Sequence, residues 1–171
     1  MNAAIYLFGT SHSLQCAAPG VEGSKVAAFE AELHHVCEKH AIVRIAEEAS
    51  KSGLSCCGVE CTIGARVAQK LGIEHHNVDL EPEERAALSL DDGPMLNIVL
   101  RSGFPDGGSG FRAAYSVIGD AVRERIWIGR ILARSQWPTL FVCGADQTTS
   151  VEQLWRSLAL PVTVVHRDYE P

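Results

Sequence analysis

The stretch from Ile5 to His12, IYLFGTSH, decides the fold. An apolar run from Ala3 to Phe8 breaks at Gly9 into a polar turn that carries His12. A continuous apolar run that ends in a glycine turn is typical of a strand covered on both faces, as strands are in parallel sheets. The stretch therefore predicts a buried parallel strand whose end presents an imidazole.

Helices and strands alternate along the rest of the chain. Apolar residues recur at helical spacing in four segments, 24–40, 60–72, 111–135 and 149–159. A short helix with Pro82 in its first turn is predicted within 81–90. Four more strands are predicted, at 41–46, 73–79, 138–144 and 161–166. This alternation implies right-handed crossovers, and so a three-layer α/β/α domain with a mainly parallel sheet of about five strands.

The chain is expected to form a single domain over 1–171. Its 171 residues, 46 % of them hydrophobic, suffice for one core and not for two ordinary domains. The segment DDGPMLNIVLRSGFPDGGSG mixes turn residues with an apolar island, MLNIVL, which is open to interpretation as core, lid or homodimer contact. We expect a mobile excursion around 91–111.

Charge and hydropathy exclude two classes of partner. Asp and Glu outnumber Lys and Arg by 21 to 15, the net charge is −6, and no basic run could attract a phosphate backbone, so nucleic acid is not expected. The longest apolar runs are strand-sized and the N-terminus lacks a charged leader, so we expect a cytoplasmic protein without a membrane contact. Its six cysteines are expected to be reduced, because no secretory signal is recognised and Cys37 and Cys143 lie inside apolar periodic segments. Zinc binding at the crowded SCCGVEC segment is not favoured over buried or incidental thiols, because the segment lacks the fourth ligand that zinc needs.

Polar side chains follow every predicted strand. In a parallel sheet, ligands bind beyond the carboxyl ends of the strands, so these residues are candidates for one site. An imidazole and a carboxylate can ligate a metal that activates water, or can act directly as base and acid partner, and both arrangements suit hydrolysis. The alternatives are that the histidine caps a turn and that the glutamates are a solvated strand end. The candidates are His12, Glu47, Glu48, Asp79, Asp146, Gln147, His166 and Asp168.

The pair His75-His76 lies on the third predicted strand. Adjacent residues of a strand point to opposite faces, so the two rings cannot clamp one metal ion without a bulge. At most one of them is expected to reach a site.

Four short motifs occur in order along the chain: FGTSH after the first strand, AEE after the second, RERIW on a late helix and FVCGADQ after the next strand. Together they resemble the TraB/TIKI superfamily, which also includes erythromycin esterases and ChaN-like haem-binding lipoproteins. The resemblance covers most of the chain. It implies a hydrolase that cleaves a peptide or ester bond of a peptide or small-molecule substrate.

The resemblance also implies roles for particular residues. The family pattern has two G-x-x-H motifs, a glutamate after the second strand and an arginine on the late helix. Carried over, these are Gly9 to His12, Glu47 or Glu48, and Arg123. In one branch they would hold a divalent metal, and in another a histidine and a glutamate would activate water without one. Arg123 would hold a carboxylate or stabilise negative charge.

The second family motif departs from the pattern, because Gly144 to Gln147 ends in glutamine instead of histidine. A carboxamide cannot serve as a base at neutral pH and is a poor zinc ligand. The implied metal set is His12, Glu47, Asp146 and Gln147, for Mn, Mg, Co or Zn with a shift towards Mn or Mg. The alternative is that catalysis has been lost and that the pocket only binds a small ligand, of which haem is a less favoured example. A further alternative is a partner protein that binds the segment SGFPDGGSGF.

Overall fold

The computed structural model describes residues 4–56, 58–90 and 109–171, excepting the side chains of 109–118. Within these ranges five strands form one sheet in which every pairing is parallel and the spatial order is β3-β2-β4-β1-β5. The strands are β1 (Ile5–Thr10), β2 (Arg44–Glu47), β3 (Glu74–Asn77), β4 (Thr139–Gly144) and β5 (Val162–Tyr169). The expected α/β fold with a parallel sheet of five strands is confirmed.

Helices connect the strands. They are α1 (His12–Gln15), α2 (Gly23–Lys39), α3 (Lys51–Cys56), α4 (Ile63–Leu71), α5 (Pro82–Ala87), α6 (Ser109–Ala133) and α7 (Thr148–Ser157), with a 3₁₀ turn at Ala145–Gln147. No helix in the described part of the chain has the length and hydrophobicity needed to cross a membrane.

Two apolar clusters cover the two faces of the sheet. Helices α2 and α4 pack on the first face, where Phe29 and Val67 contact the side of the sheet that carries Ile45. Helices α6 and α7 pack on the second face, where Trp127 and Trp155 belong to the cluster around Ala46 and Phe141. Successive residues of each strand therefore alternate between the two clusters. The sheet is the middle of three layers, as expected.

Two strands, β1 and β5, end later than their apolar runs do. The run in β1 ends at Phe8, yet pairing continues through Gly9 and Thr10, which face Cys143 and Gly144 of β4. Strand β5 likewise continues beyond its expected end at residue 166 to Tyr169. Hydrogen bonding to neighbouring strands extends these ends, and hydropathy does not report it.

Two helix ends lie at residue types that favour them, and three short helical segments were not predicted. Gly72 ends α4 in the left-handed conformation, and Pro82 begins α5. The short helices α1 and α3 and the 3₁₀ turn were not expected, because segments of three to six residues carry too little periodicity to be recognised.

The spacing of Ile118, Val122 and Ile126 predicts the buried face of α6, but the described part of this helix buries a different face. Val122 and Ile126 are only half-buried, whereas the buried face contains Trp127, Ile128 and Ile131. The stripe is displaced because the large Trp127 ring fills the space against Phe141. Of the expected excursion around 91–111, all but the first residues of α6 lies outside the described residues.

Candidate active site at the carboxyl edge of the sheet

The strand order brings four strand ends together. Moving across the sheet from β3, the residues that follow or end the strands are Asp79, Glu48, Gly144 and His12. Because β4 lies between β2 and β1, Glu48 and His12 can approach each other only across the end of β4. We call this group of residues, together with Arg123 of α6, the rim.

Glu48 is at the centre of the rim, and its side chain is only 1 % exposed. Its Oε2 accepts the backbone N–H of Gly144 at 2.8 Å, and its Oε1 accepts Nη2–H of Arg123 at 2.9 Å. Nε2 of His12 lies 3.7 Å from the same Oε1. Burial raises the pKa of Glu48, and His12, the Gly144 N–H and Arg123 oppose that rise only in part.

Gly144 permits this close approach. A Cβ at this position would lie 3.2 Å from Nε2 of His12 and would overlap Oε1 of Gln147. The absence of a side chain therefore lets an imidazole and a carboxamide meet over the end of β4. His12 is 57 % exposed, so its ring faces solvent on the side away from Glu48.

Arg123 is enclosed by carboxylates. Its Nε and Nη2 donate to Asp79 at 3.1 and 3.0 Å, and its Nη1 donates to Asp120 at 3.0 Å. The guanidinium also lies 4.9 Å from the ring centre of Trp127. Glu48 is the third carboxylate partner of Arg123. The positive charge of the guanidinium is therefore balanced by carboxylates of the protein and is not presented to solvent. It anchors Glu48 and is a rim residue.

Asp79 is the second buried carboxylate of the rim. Burial raises its pKa, but hydrogen bonds from Arg123 and from Trp127, whose Nε1 donates at 2.9 Å, bring the pKa below its ordinary value. Arg85 of α5 also pairs with Asp79. Asp79 is thus held as an anion by two guanidinium groups and an indole.

Glu47 does not lie in the rim. Strand alternation turns its side chain toward α4, where it accepts hydrogen bonds from Thr62 and from His75. The structure therefore does not bring Glu47 to His12, although the sequence analysis placed both in one metal set. His75 and His76 point to opposite faces, as expected, and among the residues that the structure describes only His75 pairs with a carboxylate.

Of the four remaining residues predicted from the sequence, one lies near His12 and three lie away from the rim. Gln147 lies beside His12, whereas Asp146 is exposed on the 3₁₀ turn. His166 lies within β5 and pairs with Glu32 of α2 at 2.8 Å, so it does not reach the rim. Asp168 is exposed near the end of β5.

The rim does not fit a divalent metal in this arrangement. Among residues 4–56, 58–90 and 109–171, no three His, Cys, Asp or Glu side chains gather so that they could hold an ion. Both oxygens of Glu48 already accept hydrogen bonds, and the remaining neighbour of His12 is a carboxamide. Imidazole and carboxylate are nevertheless placed for direct acid–base chemistry.

Sequence reasoning missed two partners of Arg123, Asp120 and Trp127. They lie three residues before and four residues after Arg123 on α6, so all three occupy one helix face. That spacing was a signal that could have found them.

Comparisons of the chain with protein-family models, with curated proteins and with solved structures found no match.

Proposed function

We propose that the protein is a hydrolase that cleaves an ester or peptide bond with water activated by the His12–Glu48 pair. The observation that supports this is the placement of an exposed imidazole 3.7 Å from a carboxylate that is almost wholly buried. A buried carboxylate beside an accessible imidazole stabilises the imidazolium that forms when the ring takes up a proton. The resemblance to the TraB/TIKI superfamily points to the same chemistry.

In the proposed step, Nε2–H of His12 points towards Glu48, and Nδ1, on the other side of the ring, accepts a proton from a water molecule as the water oxygen attacks the carbonyl carbon of the substrate. The imidazolium moves closer to Glu48. The imidazolium then donates its proton to the leaving oxygen or nitrogen of the substrate. A separation of 3.7 Å is long for a hydrogen bond, but such contacts often shorten only when the charge develops. Glu48 is the charge partner and His12 the base.

Arg123 has a positioning role in this proposal. All the polar contacts described for it are to carboxylates of the protein, among which Glu48 and Asp79 are buried. Arg123 therefore fixes the direction of the Glu48 carboxylate. Its guanidinium N–H groups are already bonded to protein carboxylates, so Arg123 does not bind a substrate carboxylate.

The test is a screen of chromogenic esters and fluorogenic peptides with the purified chain, His12→Ala and the matched control His35→Ala, which changes an exposed histidine of α2. We expect hydrolysis by the chain and the control, and a loss of about a hundredfold or more with His12→Ala, the size of a general-base contribution. Equal activity of all three proteins would refute the proposal. Activity that EDTA abolishes and Mn²⁺ restores would instead favour the metal-dependent alternative.

A second candidate function is binding of a small ligand without catalysis. The observation that favours it is Gln147, whose carboxamide lies beside His12 where the resembled family has a histidine. Gln147→His provides the test. Hydrolysis that appears only in this variant would favour a binding pocket, of which haem binding, measured by absorbance titration, is one form.

A further inference from the structure

Glu124 of α6 is a buried carboxyl group that the proposed reaction does not use. It is only 5 % exposed, and its one hydrogen-bond contact among the described residues is to the hydroxyl of Ser150 on α7. Among the same residues, each of the other four buried acids pairs with a histidine or an arginine: Glu47 with His75, Glu48 and Asp79 with Arg123, and Glu152 with Arg167. A buried carboxylate without such a partner is costly, so Glu124 lacks the compensation that the other four have.

The contacts of Ser150 indicate where a proton lies. Its Oγ contacts Oε1 of Glu124 and lies 2.9 Å from the carbonyl oxygen of Gln147. A serine hydroxyl has one proton to donate, and a carbonyl oxygen can only accept. Both hydrogen bonds can form together only when Glu124 is a neutral carboxylic acid. Its O–H then donates to Ser150, and the Ser150 hydroxyl donates to Gln147.

The surroundings of Glu124 favour this neutral form. Burial raises the pKa of the Glu124 carboxyl, and the charge of Asp120, one helical turn earlier, raises it further. A hydrogen bond from Ser150 to the ionised carboxylate lowers the pKa, as do the charges of Arg125 and Arg123. Burial outweighs these effects, so Glu124 keeps its proton over a wider pH range than an ordinary glutamate.

Glu124 can exchange its proton with solvent. Together with Ser150 it lines an open cavity of about 450 Å³ between α6 and α7, in which Arg125 is the other charged lining residue that the structure describes. On the side of the sheet, Glu124 lies near the thiol of Cys143 on β4. Burial, and after it the charges of nearby carboxylates, raise the pKa of this thiol, so it stays neutral. Loss of the Glu124 proton therefore leaves a negative charge beside an uncharged group of the sheet.

Gln147 connects Ser150 to the rim. Its carbonyl oxygen contacts the Ser150 hydroxyl, and its carboxamide lies beside His12 over the end of β4. If Glu124 is ionised, the single proton of Ser150 is drawn to the carboxylate, since a hydrogen bond to a charged acceptor is the stronger one. The bond from Ser150 to the Gln147 carbonyl is then lost.

We propose that Glu124 is a positioning residue that, in its protonated form, fixes the turn carrying Gln147 beside His12. This inference rests on the proposed function, because the rim is the site that Glu124 regulates. With the proton in place, Glu124 donates to Ser150 and Ser150 donates to Gln147, so the carboxamide stays against the His12 ring. When the proton passes to solvent, the Ser150 hydroxyl turns to Glu124 and the turn is released. Raising the pH therefore loosens the rim.

The experiment follows two NMR signals of the intact chain as the pH is raised: the carboxyl carbon of Glu124 and the backbone amide of Gln147. The Glu124 signal is assigned by its absence in Glu124→Gln. We expect it to titrate above about 4.3, the ordinary value for glutamate, and the Gln147 amide to shift with the same midpoint. Glu124→Gln, whose side-chain N–H replaces the O–H donor, should remove that shift. A separate shift caused by the neighbouring imidazole is identified by its loss in His12→Ala.

Two serines of α7 provide matched variants, because Ser150 and Ser157 line the same cavity and the Ser157 hydroxyl donates to the carbonyl of Leu154 instead. Ser150→Ala should abolish the response of Gln147 to the titration of Glu124, and Ser157→Ala should preserve it. The proposal is overturned if Glu124 titrates in the ordinary range of glutamate, if the Gln147 shift survives in Glu124→Gln, or if the two serine variants behave alike.

Urea denaturation tests the same proton independently. A carboxyl whose pKa is higher in the folded chain contributes stability that is fully present below about pH 4.3 and is lost as the pH rises through the folded-state pKa. Relative to Glu124→Gln, the unfolding equilibrium constant of the unchanged chain should therefore increase by up to about tenfold per pH unit. Glu83→Gln, the same change at an exposed glutamate of α5, should leave the pH dependence as it is. A parallel course of the unchanged chain and Glu124→Gln would also overturn the proposal.

Kinetics separate this inference from the proposed function. With a substrate from the screen, kcat of the unchanged chain should fall by about tenfold above the Glu124 midpoint, a part of the hundredfold that a displacement of about 1 Å can cost. Glu124→Gln should not show this fall, and an equal fall in both would overturn the regulation of the rim. The NMR and urea measurements need no substrate. If no substrate is hydrolysed, the proposed function fails, and these measurements still decide whether Glu124 controls Gln147.

Discussion

The carboxylates of Glu47 and Glu48 follow one another in the chain and serve opposite faces of the sheet. Glu47 accepts hydrogen bonds from Thr62 and His75 on the side of α4, whereas Glu48 accepts them from Gly144 and Arg123 at the rim. A strand reverses its side chains at each residue, so one pair of acidic residues serves two separate clusters. This division assigns Glu48, and not Glu47, to the proposed hydrolase site.

The two glutamates can be separated by matched substitutions. Glu48→Gln keeps the shape of the side chain and removes the charge that stabilises the His12 imidazolium. We expect kcat for the substrate found in the screen to fall about a hundredfold. Glu47→Gln should retain most of that activity per folded molecule. Steady-state kinetics measure the activity, and urea denaturation measures the fraction of each variant that is folded. A larger loss for Glu47→Gln than for Glu48→Gln would contradict the assignment of Glu48 to the rim.

Gly144→Ala should disturb the rim. The new methyl group would overlap Gln147 Oε1 and press on His12 Nε2, so one or both side chains must move. We expect a loss of about 1–3 kcal/mol in the free energy of unfolding, the usual cost of overpacking, together with reduced hydrolysis. Gly129→Ala is the control, because a Cβ there meets no atom within 4 Å and alanine favours the α6 helix by about 0.5–1 kcal/mol. Urea denaturation measures both, and equal effects would contradict this role of Gly144.

Asp79 should make stability depend on pH in the acid range. Hydrogen bonds from Arg123 and Trp127 outweigh burial and lower the pKa of Asp79 in the folded state. Its contribution is therefore fully present above the unfolded-state pKa of about 4 and is lost as the pH falls through the lower folded-state pKa. Urea denaturation between about pH 2 and about pH 6, roughly two units on either side of that value, should show a smaller acid loss for Asp79→Asn than for the unchanged chain. Parallel curves would contradict the prediction.

His76 should make stability depend on pH in a higher range. Burial, aided by the charges of Arg44 and Arg134, lowers its pKa to about 4. The unfolded chain takes up a proton near pH 6.5 that the folded chain refuses, so stability falls as the pH is lowered from about 6.5 towards 4. His76→Asn should flatten this part of the profile, and the exposed-residue control His35→Asn should not. Thermal unfolding followed by circular dichroism across this range measures the difference.

Burial, and after it the charge of the neighbouring Arg44, explain why the His76 ring stays neutral. Arg44 is wholly buried and is held by Thr139 and by the carbonyl of Ile131, at 3.0 Å each, without a carboxylate in either contact. A second positive charge beside this guanidinium would be costly in a medium of low polarity. The histidine therefore remains uncharged, and both of its ring nitrogens are buried without a described partner.

The sequence by itself determined the fold class and most of its elements. Apolar runs, helical spacing and the end signals at Gly72 and Pro82 depend on neighbouring residues, so they can be recognised along the chain. The same logic identified the strand ends as the place for chemistry and named His12 and Glu48 among the candidates, and the family resemblance added Arg123. It also predicted that His75 and His76 face opposite ways.

Only the tertiary structure decided which candidates meet. The strand order places β4 between β1 and β2, and no local pattern reports that order. Register selected Glu48 over Glu47 for the rim, because the face of a strand residue is known only when the pairing is known. Side chains from distant segments then came together, His12 over Gly144 and His75 onto Glu47, since these contacts join residues that are neighbours in space and not in sequence.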